Sequence, residues 1–196
     1  TWRDEPVIGY KVRPGTALDR SARSRGNSVY FPDRVVPMLP EVLSAHVCSL
    51  VENEDRAVLA CHLHIDPEGK LLDWRFTRAV IRCVTNIAYE EAQATMDAEK
   101  GEWLHVLKPL WAAWGALAKA RADREPLDLE LPEKRVVLDE AGRIAGISIR
   151  EHLTAHRVIE DYMIAANVAA AKALEKKKAG CIFRCHEAPS REKIVA

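Results

Sequence analysis

A proline-rich but apolar segment, from Arg25 to Ser44, constrains the fold of this chain more than any other stretch. Gly26 and the prolines at positions 32, 37 and 40 prevent a regular helix from running through it. The segment is nevertheless too apolar for a solvated linker, because it contains Val29, Tyr30, Phe31, Val35, Val36, Met38 and Leu39. We therefore expect an ordered, non-helical segment, which is either one wall of a binding site or a buried irregular loop.

The charged and aromatic side chains of this segment are suited to binding a single-stranded nucleic acid. Arginine makes phosphate contacts, and tyrosine offers a flat face to a base. Tyr30 lies between Arg25 and Arg34, and we predict that Arg25, followed by Arg34, contacts phosphate. Residue chemistry alone leaves two places open for Tyr30, a stacking surface and the core.

The charge composition argues mildly against a free-standing nucleic-acid-binding module. The chain has 29 basic and 29 acidic residues, so its formal net charge is zero, whereas nucleic-acid binders usually carry a basic excess. A local basic groove is still compatible with this balance, because basic residues outnumber acidic ones between positions 11 and 34.

Cysteine usage and hydropathy predict a cytoplasmic protein with no membrane partner. The five cysteines are odd in number and scattered, which is typical of reduced thiols. No stretch approaches the roughly 18 uninterrupted apolar residues of a membrane span. Cys181, Cys185 and His186 lack a second Cys/His pair of finger spacing, so we predict no zinc site there.

Hydrophobic periodicity predicts a single α+β domain over residues 1–196, in which a mixed sheet with hairpins is flanked by helices. The predicted elements are a hairpin of residues 56–65 and 71–83 around the turn 66–69, a helix over 88–100, a tryptophan-rich helix over 103–117, a short hairpin of 135–139 and 144–149, and a helix from about 155 to 177. Pro109 predicts either a kink or a new start in the second helix. Its tryptophans fit the core better than a platform for bases.

Two polar residues of the last predicted helix are candidates for binding ribose. Glu160 and Asn167 are seven residues apart, so they project from nearly the same face. A carboxylate and an amide can both hydrogen-bond hydroxyl groups, including the 2′-OH of RNA. The alternative is that this face is simply the solvent face of the helix.

Three blocks of the sequence, in order, resemble the nuclease domain of the ribonuclease II / ribonuclease R family of exoribonucleases. The first is VRPGTALDRSARSRGNSVYFPDRVVPMLPEVLSAHVCSL, which begins at Val12. The second is VIEDYMIAANVAAAKAL, from Val158 to Leu174, which is similar to the IEE-type helix of the family. The third, from Phe183 to Pro189, is similar to its R-x-H-x-x-P segment. The resemblance therefore covers nearly the whole chain.

The resemblance implies 3′-to-5′ hydrolysis of single-stranded RNA to nucleoside 5′-monophosphates with Mg²⁺ as cofactor. It implies that Glu160 contacts the terminal nucleotides at the catalytic end of an RNA channel. Tyr30 would stack near the scissile 3′ end, and Tyr89 would clamp the RNA farther along. Asn167 matches the asparagine of the A-N pair in the family. For Tyr89, a tyrosine that starts a helix and packs on the hairpin is the alternative.

The sequence departs from the family pattern at both ends. The aspartate cluster that binds metal in the family precedes the VRPG-like segment, where this chain offers only Asp4 and Glu5 as acids. The R-R-Y-x-D-L segment with the catalytic arginine is also missing from the sequence. We therefore assign no metal ligand and expect this polypeptide alone to be inactive, as the central part of a nuclease domain. The alternatives are a non-catalytic relative that binds RNA or a protein partner, and a truncated reading frame that survives only as a folded domain.

Overall fold

A computed structural model of the chain describes residues 12–123, 133–183, 185 and 187–189. Its helices are α1 (Ala17–Arg25), α2 (Tyr89–Asp97), α3 (Leu104–Ala122) and α4 (Thr154–Lys176), together with a π-helix at Val42–Val47. Its strands are β1 (Val29–Tyr30), β2 (Val35–Val36), β3 (Asp55–Ile65), β4 (Leu71–Arg82), β5 (Glu133–Leu138) and β6 (Ile144–Arg150). The predicted α+β class is confirmed. The sheet differs in detail, because the strands of the described ranges pair as three separate two-stranded antiparallel sheets.

The long hairpin of β3 and β4 forms where the sequence predicts it. The carboxylate Oδ1 of Asp66 accepts hydrogen bonds from the backbone N–H of Glu68 at 3.1 Å and of Lys70 at 2.7 Å, which closes the turn. Gly69 has a φ of 79° and lies against α3, where an added Cβ would come within 2.6 Å of the Ala120 Cβ and would overlap the carbonyl oxygen of Ala116. Only glycine fits this position, so the tip of the hairpin packs closely on α3.

The buried centre of the described residues lies among α2, α3 and the start of α4. Ala92, Leu107 and Ala155 form this core. Side chains packed against it are Ile87, Met96, Trp103, Trp111 and Leu153. The prediction that the tryptophans belong to the core is thus confirmed for Trp103 and Trp111. Helix α3 continues through Pro109 as one helix and does not begin anew there.

Polar contacts fix the long helix α4 to its neighbours. Asp161 is only 8% exposed, and it accepts hydrogen bonds from the indole Nε1–H of Trp114 at 2.8 Å and from Arg121 at 3.0 Å. The Tyr162 hydroxyl donates to the carbonyl of Leu110 at 3.0 Å, and burial raises the pKa of that hydroxyl. These contacts leave the opposite side of α4 exposed.

The proline-rich segment is non-helical from Gly26 to Pro40, as predicted, and it forms the short hairpin of β1 and β2. The prediction is wrong at both ends of the segment, because Arg25 is the last residue of α1 and residues 42–44 lie in the π-helix. Neither helical element was predicted. Helix α1 begins with the Thr16 hydroxyl accepting from the N–H of Asp19 at 3.3 Å. None of the helices in the described ranges is long and apolar enough to cross a membrane.

Candidate nucleic-acid interface

Tyr30 lies at the end of β1, opposite Val35, and 77% of its surface is exposed. The N–H of Phe31 donates to the carbonyl of Arg34 at 2.8 Å, which closes the tip of the hairpin. At its base, the Ser28 hydroxyl accepts from the N–H of Met38 at 2.9 Å. The alternative of a core tyrosine is therefore wrong. Tyr30 instead presents its ring to solvent from a closed turn.

The two arginines predicted to contact phosphate have partners within the same segment. Arg25, at the end of α1, donates from its guanidinium to the carbonyl of Pro37 at 3.3 Å. Arg34 forms an ion pair with Asp33 at 2.6 Å, and its guanidinium lies over the ring of Phe31 at 5.1 Å. Both guanidiniums therefore stay beside the hairpin that carries Tyr30.

Arg56 ties the end of the π-helix to strand β3. Its Nε–H points to the carbonyls of His46 at 3.2 Å and Ser49 at 2.9 Å. Its terminal nitrogen pairs with Glu54 at 2.6 Å. Both carbonyls also accept a backbone N–H, His46 from Ser49 at 3.1 Å and Ser49 from Val51 at 3.2 Å, so this arginine adds a side-chain donor that holds the end of the π-helix against β3.

Glu52 joins the same region to the end of β4. Its carboxylate accepts a hydrogen bond from the Thr85 hydroxyl at 2.8 Å and a short one from the backbone N–H of Asn86. These donors, the backbone N–H of Asn86 first, hold the pKa of Glu52 below its usual value. The stretch between the π-helix and β3 is therefore joined to the long hairpin at two points.

Tyr89 and Glu160 are connected through two histidines that the sequence analysis did not assign. Tyr89, the first residue of α2, stacks on His156 with ring centroids 4.1 Å apart, and His156 stacks on His152 at 5.5 Å. The Nε2 of His152 lies 2.9 Å from Oε1 of Glu160. We call Tyr89, His156 and His152 the ring column. The ring of Tyr89 thus contacts α4 through His156.

A spacing signal for these histidines is present in the sequence. His156 and Glu160 are four residues apart within α4, which places their side chains near one face of the helix. His152 lies four residues before His156, just ahead of the helix. Only the partner on α2 could not be read from this spacing, because Tyr89 is 67 residues before His156.

Glu160 and Asn167 both lie on the exposed side of α4, so the prediction that they share a face is confirmed. The Glu160 side chain is 49% exposed. Between them, Met163 and Ile164 are 59% and 52% exposed. This face thus combines polar acceptors with apolar surface, and a role in binding ribose stays a prediction.

The remaining predicted positions are not joined to the ring column. Across the part of the chain that the structure describes, Tyr30, Arg25 and Arg34 make no hydrogen bond, ion pair or ring contact with the column, Glu160 or Asn167. Of the R-x-H-x-x-P segment, Arg184 and His186 lie outside the described residues, as do Asp4 and Glu5.

A divalent cation needs several His, Cys, Asp or Glu side chains close together. Mg²⁺ is bound through carboxylate oxygens, and two-metal hydrolysis requires several of them together. No group of three or more His, Cys, Asp or Glu side chains that could hold a metal ion occurs among the described residues. These residues do not fit a magnesium centre.

Comparison with known proteins places these features in a family. Residues 7–196 match the RNB domain. Ribonuclease R of Escherichia coli (strain K12) is 36% identical over 195 residues, which cover 96% of this chain and 24% of that protein. Mycoplasma genitalium RNase R in complex with ribose methylated single-stranded RNA superimposes with a TM-score of 0.87 at 27% identity, covering 96% of this chain and 30% of that one.

A third comparison concerns the fold alone. Yeast Ssd1, described as a pseudonuclease, matches with a TM-score of 0.61 at 17% identity, covering 87% of this chain and 21% of that one. The chain spans about a quarter of the length of the curated relatives it matches. The match over nearly every residue shows that the chain belongs to the RNB domain family.

Proposed function

We propose that this chain forms part of a 3′-to-5′ exoribonuclease domain, that it binds single-stranded RNA, and that the complete domain hydrolyses this RNA to nucleoside 5′-monophosphates. The observation that carries the proposal is the similarity of nearly the whole chain to ribonuclease R. The relative from Mycoplasma genitalium binds ribose methylated single-stranded RNA, which supports RNA as the ligand here.

Tyr30 is the stacking residue in this proposal. Its ring is 77% exposed on a hairpin whose ends are closed by hydrogen bonds, so a base can reach it without unfolding the segment. Stacking of a base on an aromatic side chain is worth about 1–3 kcal/mol and accepts any base. An enzyme that degrades RNA one nucleotide after another requires this tolerance.

Arg25 and Arg34 contact phosphates beside Tyr30. The hydrogen bond of Arg25 to Pro37 involves one of several N–H donors of the guanidinium. Arg34 is 64% exposed in its side chain, and its pairing with Asp33 lies on the surface. A surface ion pair of this kind is worth little and is screened by salt, so a phosphate can compete with Asp33 for Arg34.

Glu160 and Asn167 contact ribose hydroxyls, and Tyr89 clamps the strand farther along. The carboxylate of Glu160 accepts hydrogen bonds, and the amide of Asn167 both donates and accepts. Both are exposed on one face of α4. Tyr89 is 37% exposed even with His156 stacked on it, which leaves part of its surface for RNA.

For the complete domain we propose Mg²⁺ as the cofactor and the cytoplasm as the location. The five cysteines, Cys48, Cys61, Cys83, Cys181 and Cys185, are all free in the structure. Free thiols at exposed or half-buried positions suit a reducing compartment.

A non-catalytic module that binds RNA or a protein is the second candidate. One observation suggests it: yeast Ssd1, described as a pseudonuclease, shares the fold. The two candidates differ in whether the complete domain forms products, whereas both predict no release from this chain alone. The purified chain is incubated with Mg²⁺ and a single-stranded RNA that carries a 3′ tail, and nucleoside 5′-monophosphates are measured. We expect no release from this chain alone, and robust release would refute both this expectation and the non-catalytic candidate.

Binding is then measured by fluorescence anisotropy with a labelled single-stranded RNA. Tyr30→Ala is expected to weaken affinity by about 5- to 100-fold, because it removes the stacking face. Tyr30→Phe is the matched control, since it keeps the ring and should bind nearly as the wild type does. Equal affinities of the alanine and phenylalanine variants would refute stacking on Tyr30.

A further inference from the structure

We propose that His152 is a positioning residue for Glu160, and that the ring column fixes the place from which His152 acts. This inference rests on the proposed role of Glu160 in contacting ribose. It assigns a role to His152, which is absent from the candidate residues named from the sequence, and it gives the stacking of Tyr89 and His156 a purpose beyond packing.

The hydrogen bond between His152 and Glu160 spans the first turns of α4. Nε2 of His152 lies 2.9 Å from Oε1 of Glu160, and the two side chains are 52% and 49% exposed. An isolated exposed pair of this kind is usually worth little, because ordering two side chains costs as much entropy as the contact returns. His152 can orient Glu160 only if its own ring is already held.

His156 holds the ring of His152. It stacks on His152 at a centroid separation of 5.5 Å with an interplanar angle of 27°, and its other neighbour is Tyr89, at 4.1 Å and 23°. His152 is therefore the outer member of a three-ring stack. The stacking restricts rotation of its imidazole ring. The edge of the ring that carries Nε2 faces Glu160.

His156 is itself fixed by the start of α4. Its Nδ1 accepts the backbone N–H of Leu153 at 3.1 Å, as the third residue of a helix does in a capping box. With Nδ1 as the acceptor, neutral His156 carries its proton on Nε2, and that atom is buried without a hydrogen-bond partner among the described residues. His156 is thus held by its two faces and by Nδ1.

Helix α2 supports the same end of α4. The side-chain oxygen of Gln93 accepts the backbone N–H of Ala155 at 3.0 Å, one of the N–H groups that a helix start leaves open. The core formed by Ala92, Leu107 and Ala155 lies directly behind it. Tyr89 and His156 are therefore brought together by a packed contact between two helices.

The Glu160 carboxylate is therefore hydrogen-bonded to His152 through one oxygen, and its other oxygen is available to a ligand. Oε1 accepts from His152, and a carboxylate has further acceptor sites on Oε2. A group held in place loses less conformational entropy when it binds, so its hydrogen bond to a ribose hydroxyl contributes more to affinity. Without His152, Glu160 would have to be ordered by the RNA itself.

The first test is on the geometry and needs no RNA. Side-chain three-bond couplings of Glu160 are measured by NMR in the purified chain. We expect one dominant rotamer in the wild type, averaging in His152→Ala, and the wild-type rotamer again in His152→Gln, whose amide N–H replaces Nε2. His105→Ala, an exposed histidine on α3, is the control and should not change Glu160. Averaging already in the wild type, or no change in His152→Ala, would overturn the inference.

The second test measures affinity for single-stranded RNA. Glu160→Ala should weaken binding about tenfold or more, and His152→Ala about two- to fivefold. His152→Gln should restore most of this loss, and the double variant should bind no worse than Glu160→Ala alone. If Glu160→Ala weakens binding and His152→Ala does not, the positioning role is refuted. If Glu160→Ala has no effect, the role proposed for Glu160 fails, and the NMR result decides the positioning separately.

Discussion

Replacing Asp161 should cost this chain a large part of its stability, because one buried carboxylate joins two helices. Asp161 is 8% exposed and accepts from Trp114 of α3 at 2.8 Å and from Arg121 of α3 at 3.0 Å. Its neighbour Glu160 is about half exposed. Adjacent acids in the sequence therefore have opposite environments, and only one of them holds the fold together.

The size of the stability loss follows from the groups that Asp161→Ala leaves without their partner. A hydrogen bond to a charged group contributes about 1.5–3 kcal/mol when it is buried, which applies to the indole N–H of Trp114. The Arg121 side chain is 40% exposed, so the lost ion pair adds at most about 1 kcal/mol. We expect the free energy of unfolding to fall by about 2–4 kcal/mol, an effect of the size seen when a buried polar network is broken.

Urea denaturation followed by tryptophan fluorescence measures this change, with two further variants. Arg121→Ala removes only the exposed partner and should cost no more than about 1 kcal/mol. Glu160→Ala is the matched control, because it removes the adjacent acid from the exposed face and should stay within about 0.5 kcal/mol of the wild type. If Asp161→Ala unfolds at the same urea concentration as Glu160→Ala, the argument from burial is refuted.

Two further predictions concern the long hairpin. Gly69→Ala should lower the thermal unfolding temperature more than Gly142→Ala does. Both glycines have positive φ, but Gly69 lies against α3, whereas nothing lies within 4 Å of a Cβ at Gly142. Equal losses of stability would contradict close packing of the hairpin tip. Glu52→Gln should destabilise the chain at neutral pH and progressively less under acid. In the folded chain the pKa of Glu52 is lowered from its ordinary 4.5. The stability that the Glu52 carboxylate contributes is therefore present above that value and is lost as the pH falls through the folded pKa. A stability difference between variant and wild type that does not change with pH would contradict this reasoning.

Local signals in the sequence were enough to predict most elements. The turn at Asp66 to Gly69, the alternation on either side of it and the helical spacing in α3 and α4 each depend on neighbours in the chain. Their boundaries in the structure differ from the predicted ones by only a few residues, except at the end of α3. The π-helix was missed because its i→i+5 pattern has no common sequence signature, and such turns are often found at functional sites.

Contacts between distant residues could not be predicted in the same way. The pairing of Asp161 with Trp114 and Arg121 and the stack of Tyr89 on His156 each depend on how two helices pack. The family resemblance drew attention to Glu160 but did not distinguish its environment from that of Asp161. Burial made that distinction, and it separates a carboxylate available to a ligand from one that is committed to the fold.

The predicted RNA-contacting residues fall into two groups that the fold connects only indirectly. Tyr30 belongs to the short hairpin of β1 and β2, which the chain continues into the π-helix, and Arg56 ties the end of that π-helix to β3. The tip of the long hairpin packs on α3 at Gly69, and α3 in turn holds α4 through Asp161. The contacts of Arg56, of the hairpin tip at Gly69 and of Asp161 therefore form a series that leads from the end of the π-helix to α4. Loosening Arg56 should therefore disturb the end of the π-helix and leave the ring column intact.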